Sequence, residues 1–149
     1  MKQSIESIQQ AKRSLLIYSA VLIGLCASLQ GLIAYRGNNI DVVSQLFLAV
    51  IALYYAWYNY VSRDQLRRVR FGRVISHMIG FLVVNVSYHL HALILFTSNS
   101  SAITGTKDFG INEDWFGLLF GMTTFWGLGL LVHTIASVAN RGFEELPRG

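Results

Sequence analysis

RVISHMIGFLVVNVSYHLHALILF occupies residues 73–96 and decides the fold. From Val74 to Phe96 it carries no Asp, Glu, Lys or Arg, yet it holds three of the four histidines, His77, His89 and His91. A helix needs about 20 apolar residues to cross the ~30 Å hydrocarbon core of a bilayer. This stretch meets that length. Three more runs do the same: roughly 14–35, 42–62 and 115–139 are also free of Asp, Glu, Lys and Arg. All twenty such residues, 12 basic and 8 acidic, lie outside the four runs. Lipid offers no partner to backbone N–H and C=O groups, so each run is expected to be a helix.

Composition agrees. Of 149 residues 53% are hydrophobic and 13% charged, about half the charged share of a soluble domain. The length fits one domain. Pro147 is the only proline, so no span needs a proline kink. Cys26 is the only cysteine, which excludes an internal disulfide framework, and Leu25 before it is too bulky for a lipoprotein site. The first run is too long for a signal-peptide core and is followed by no small-residue cleavage site.

The net charge of +4 is a matter of placement. With four spans, one side receives Lys2, Lys12, Arg13, Arg63, Arg67, Arg68, Arg70, Arg73, Arg141 and Arg148; the other receives Arg36 and Lys107. The excess marks the cytoplasmic side. The expected architecture is therefore an all-α membrane four-helix bundle of two hairpins, 14–62 and 66–139, with both termini cytoplasmic. The basic loop RDQLRRVRFGR is read as a topology signal in contact with anionic lipid, not as a nucleic-acid site. YRGNNID forms a tight turn, and the polar connection 97–114 is expected to be mobile, with Asp114 capping the last helix. Tyr54, Tyr55, Trp57, Tyr58 and Tyr60 crowd one end of the second span, and most are expected to face lipid headgroups.

Ionisable side chains within a span face the bundle or a cavity. At ~1.5 Å per residue, His77 and His133 come to similar depth on adjacent antiparallel helices. They are expected to meet, while His89, rotated about 200° from His91, points elsewhere. On the last span Trp115, Met122, Trp126, Gly129 and His133 form a stripe, and Gly117 and Gly121 make a GxxxG pattern that permits close helix contact. The pair has two chemical readings besides a pH-sensitive one: neutral rings bonded within a helix seam, or axial ligands of a haem b. His77 and His91, fourteen residues apart, have the spacing of haem ligands in membrane cytochromes b, but only His77 would find a histidine opposite it.

Residues 66–139 resemble the bacterial 2TM domain family. The likeness rests on Arg67, Arg68 and Arg70, then Phe71 and His77, Val84-Asn85, Trp115-Phe116, and the closing WGLGLLVH of residues 126–133. It implies a membrane hairpin without enzymatic activity, found alone or attached to signalling proteins. This chain adds a hairpin before the likeness and has a longer outer connection. It shows no kinase or DNA-binding stretch, so a sensory role would need a separate partner. Read physically, Asn85, Trp126, Gly127, Gly129 and His133 form a helix–helix seam with His77 and His133 at its cytoplasmic end, and Asn85 requires a hydrogen-bond partner.

The expected role is a non-enzymatic module of the bacterial cytoplasmic membrane. It would be a scaffold, accessory subunit or sensor input, in contact with lipid and with a protein partner or further copies of itself. Alternatives are a small haem-binding electron carrier and, as an oligomer, a transporter or channel subunit. No stretch supplies a paired acid and base, an activated nucleophile or a zinc motif. A reporter active only in the cytoplasm should give signal when fused to the C-terminus and none when fused after Asn99; the reverse pattern would overturn the orientation.

Overall fold

A computed structural model describes residues 2–105 and 110–139, with side chains from Glu6 onward. Arg141, Arg148, Pro147, Lys107 and the side chain of Lys2 lie outside the described residues. The described chain is helical apart from turns and one isolated antiparallel bridge. In order it forms α1 (Lys2–Tyr35), α2 (Val42–Val61), a single turn α3 (Arg63–Leu66), α4 (Gly72–Thr97), a short α5 (Glu113–Phe116), a π-helical segment (Gly117–Met122) and α6 (Thr123–Ala139). Four stretches are long and apolar enough to cross a membrane: Glu6–Tyr35, Val42–Val61, Gly72–Thr97 and Glu113–Ala139. α1 begins before the charge-free run and carries Lys12 and Arg13 ahead of it, toward the basic end of the bundle.

The core sits between α1 and α4. On α1 the buried residues are Ala11, Leu15, Tyr18, Leu22, Cys26, Leu29 and Ile33. Their spacing of three and four gives one continuous stripe on a 3.6-residue helix. α4 buries residues along most of its length, among them Val74, Ser76, Gly80, Val84, Tyr88 and Leu95. It packs on α1, α2 and α6, whereas α2 packs chiefly on α1. α6 packs on α4 and has no fully buried residue.

Gly80 sets the closeness of these helices. A Cβ there would lie 2.6 and 2.7 Å from ring carbons of Tyr55 and 3.0 Å from the Tyr18 hydroxyl. Gly72 is tighter still: its Cβ would sit 2.2 Å from the Leu66 carbonyl oxygen, so the α3–α4 turn closes only around a glycine. Phe71 enters that turn with a left-handed backbone, φ 61°.

The turn between α1 and α2 closes as its sequence suggests. Gly37 and Asn38 both take positive φ, and the Asn38 N–H donates to the Ile33 carbonyl across the α1 terminus. Asp41 caps α2, accepting from the Ser44 N–H. That bond, with Arg36 alongside, holds the Asp41 carboxyl below the usual carboxylate range, so the cap is intact at neutral pH and lost on strong acidification.

Three expectations are corrected. The connection after α4 is not a free loop in its described parts. Ile103 is fully buried against the core, its carbonyl accepts from Asn112 N–H, and Thr104 bridges Ile111. Ile103, with Ile111 partly buried against the same core, folds it back. The last helix is capped by Asn112, whose side chain accepts from the Asp114 N–H, and not by Asp114. Of the five aromatics ending α2, only Trp57 and Tyr60 are largely exposed; Tyr58 is buried and Tyr54 and Tyr55 half-buried.

Gly80→Ala should therefore destabilise the protein by about 1–3 kcal/mol through overpacking. Gly24→Ala, whose new Cβ meets nothing within 4 Å, should be neutral or stabilising by up to ~1 kcal/mol. Unfolding titrations of both variants in mixed micelles would check the contrast.

Candidate functional site

Two polar clusters interrupt the apolar interior, one toward each end of the bundle. The first lies toward the basic end. His77 and His133 meet edge to face, ring centroids 4.7 Å apart and planes at 80°. The Tyr55 hydroxyl shares a hydrogen bond of 2.5 Å with Nδ1 of His77. Trp126 packs its ring against Tyr55 at 5.3 Å and against Phe81 at 6.0 Å. Nε2 of His133 is buried and has no hydrogen-bond partner among the described residues.

This cluster continues into α1. The Ser76 hydroxyl donates to Asn59 Oδ1, and Asn59 Nδ2 donates to the Tyr55 carbonyl at 2.9 Å. Tyr18 stacks on Tyr58 with centroids 4.0 Å apart and donates to the Ser76 carbonyl at 3.4 Å. Tyr58 in turn bonds Ser14 at 3.1 Å. The aromatic end of α2 is thus a wall of the bundle that ties α1, α2, α4 and α6 together. Period alone could have separated inward Tyr58 from outward Trp57, but not the bond from Tyr55 to His77.

Further along α4 the Asn85 amide is engaged at both its nitrogen and its oxygen. Its Nδ2 donates to the Phe81 carbonyl at 2.8 Å, and its Oδ1 accepts from the Thr123 hydroxyl at 2.7 Å. Gly127 is near Phe81, 3.6 Å from the position of an added Cβ. Gly129, expected in the same seam, has open space beside it, as do Gly117 and Gly121. The half-buried line of α6 runs through Trp126, Leu130, His133 and Ser137, which leaves Gly129 on its exposed edge. The GxxxG pair lies in the π-helical segment, whose wider turn was not foreseen from sequence.

The second cluster lies toward the end that holds the α1–α2 turn. His91 is buried there, with Nδ1 2.7 Å from Gln30 Oε1 and Nε2 2.9 Å from Asn38 Oδ1. Gln30 Nε2 donates to Ser87 Oγ at 3.3 Å. Trp115, also buried, lies edge-on to His91 at 5.3 Å and donates its Nε1–H to the Asn38 carbonyl at 3.1 Å. His89 stands apart: it is exposed and bonds the Asn85 carbonyl of its own helix at 2.8 Å.

The haem alternative can be set against this geometry. Two imidazoles on opposite faces of one metal need about 4 Å between ligating nitrogens and roughly 6 Å between ring centres. His77 and His133, at 4.7 Å and edge to face, would have to part and turn to admit a porphyrin. Among the described residues no three His, Cys, Asp or Glu side chains group as a metal site. What the pair does as it stands is join α4 to α6, with Tyr55 fixing one ring.

Comparison of the chain with protein-family models, curated proteins and solved structures finds no match.

Tyr55→Phe should weaken the fold by about 0.6 kcal/mol, the average for hydrogen bonds between membrane helices, and by no more than ~1.7 kcal/mol. His133→Phe keeps a ring against His77 and removes an unpartnered nitrogen, so it should be neutral or stabilising. A marked loss of stability in His133→Phe would show that Nε2 is engaged in the membrane. Unfolding of both variants in lipid–detergent micelles measures this.

Proposed function

We propose that the protein is a non-enzymatic module of a bacterial cytoplasmic membrane that acts by binding a partner span along its last helix. Its two hairpins have the basic end in the cytoplasm. The resemblance of residues 66–139 to the 2TM domain belongs to this reading, as does a sensory or accessory role beside a separate signalling protein.

The observation that carries it is the state of the last span. α6 has no fully buried residue. Gly117 and Gly121 stand one turn apart, and a methyl group added to either would meet nothing within 4 Å; Gly129 is equally open. Small residues at such spacing let a second helix approach closely, and van der Waals packing then drives association in lipid. The spanning segment holds its place in the monomer mainly through Trp115, Leu119, Thr123, Trp126 and His133, all on the α4 side. The opposite side carries Phe125 and Val132, both strongly exposed. A partner helix would contact that side without disturbing the bundle.

Single cysteines placed at Gly117, Gly121 or Leu128 in a Cys26→Ala background should cross-link in native membranes, to a second copy or to one other membrane protein. A cysteine at Ala52 on α2 should not. Gly121→Ile should abolish the cross-link from Leu128→Cys while leaving stability within about 0.5 kcal/mol, as for a surface change. Equal cross-linking from all positions, or none from the last span, would overturn the proposal.

A further inference from the structure

Between α1 and α4, at the end nearer the α1–α2 turn, the surface opens into a groove of about 730 Å³. Its α1 wall is the stripe Ile23, Ala27, Gln30 and Ala34, spaced by four, three and four residues. The groove exists because two of those positions are alanine; large side chains there would close it. Its length follows from the helix rise. From Ile23 to Ala34 is eleven residues by number, about 17 Å along the axis. That is close to one leaflet of the ~30 Å hydrocarbon core. Ala27 and Ala34, with Leu90 of the facing wall, are exposed, so the groove is open on the side that faces lipid.

A lipid-facing groove of this kind is ordinarily apolar throughout. This one carries Gln30, Ser87, His91 and Asn38 at its inner wall. Polar groups exposed to hydrocarbon without a partner are costly. Here they bond one another in a chain from Ser87 through Gln30 and His91 to Asn38: the neutral ring gives its one N–H to Gln30 Oε1, and the Asn38 amide, turned so that its nitrogen faces the ring, donates to Nε2. Trp115 pins that chain by donating to the Asn38 carbonyl. The chain is held in place, yet it is not saturated. The Gln30 amide has two hydrogens, gives one to Ser87, and has no second acceptor among the described residues. None of the lining residues is Lys, Arg, Asp or Glu. A phosphate or carboxylate head would therefore meet no countercharge there.

We propose that this groove binds a membrane-dissolved molecule with a long apolar tail and a neutral head that accepts hydrogen bonds. Gln30 donates to the head beside His91, and the tail lies along Ala27 and Ile23. Quinones and neutral acyl lipids such as monoacylglycerols share this chemistry. The site is on the α1–α4 side, so it stands whether or not the last span binds a partner.

The test uses the full chain in nanodiscs of one synthetic phosphatidylcholine, labelled with a photoreactive azidoquinone and mapped by mass spectrometry. Saturable labelling of peptides covering residues 23–34 or 83–95 is expected. Excess decylubiquinone in one arm and monoolein in the other should identify the source by which of them displaces the label. Ala27→Trp and Ala34→Trp, each filling the groove from an exposed position, should reduce saturable labelling at least tenfold. Gln30→Leu should weaken it several-fold with the groove still open, and Ala52→Trp on α2 should leave it unchanged. Gel filtration and thermal unfolding establish which filling variant is folded, and either one suffices. Labelling that does not saturate, that neither competitor displaces, or that survives in a folded filling variant would overturn the proposal.

Discussion

Every polar side chain on α4 has to find its hydrogen bonds inside the protein, because hydrocarbon supplies none. Ser76, His77, Asn85, Ser87 and His91 point in several directions around that helix. Each therefore fixes a neighbour. Ser76 engages α2 through Asn59, His77 engages α2 through Tyr55 and α6 through His133, Asn85 engages α6 through Thr123, and His91 engages α1 through Gln30. Interhelical hydrogen bonds in membranes average only about 0.6 kcal/mol, so none of these alone decides stability. Their value lies in register. Apolar packing between helices tolerates a slide of one turn, but a slide of α6 would leave Asn85 and Thr123 unpaired together.

The same requirement explains why the two ends differ in construction. Toward the basic end the helices are drawn close by Gly80, and aromatic rings fill what remains: Tyr18 on Tyr58, Tyr55 on Trp126. Toward the turn end, alanines on α1 leave the space between the helices unfilled, and amide side chains long enough to cross it complete the bonding. A glutamine at position 30 reaches where a serine would not. The folded-back segment around Ile103 and the buried Trp115 then cover the turn end from above, which anchors a connection that composition alone marks as loose.

How much of this could be read from the chain follows from the range of each interaction. The four spans were legible because charge exclusion is a property of twenty consecutive residues and survives any detail of packing. The depth match of His77 and His133 was legible too, since helix rise is fixed, and the two rings do lie together. The partner of His77 was not, because which of five clustered aromatics turns inward depends on the crossing of α2 and α4. His91 was read only through its spacing from His77; Gln30 and Asn38 lie 61 and 53 residues away in sequence, and no local pattern announces them. The π-helical segment shares its composition with ordinary membrane helix. Ile103 and Ile111 were visible as apolar residues, but two that stand eight positions apart in a polar stretch give no period to read.

The last span shows what these constraints leave open. α1, α2 and α4 are tied to one another by bonds on more than one side, whereas the last span is tied along one face, mainly to α4 and also to Asn38 and Tyr55. A helix held on one side in water would expose an unsatisfied apolar face, but lipid solvates such a face without cost, so the monomer is complete as far as hydrophobicity is concerned. What lipid does not reward is a pair of glycines on a surface: they give up side-chain contact with acyl chains and add backbone freedom in return for nothing. Gly117 and Gly121 sit in a π-helical stretch, an irregularity that is itself uncommon and concentrated where helices serve a function. Both features make sense if another helix lies against them. The fourth span is thus the element whose sequence is least explained by the monomer, and association is the physical condition under which its glycines become contacts.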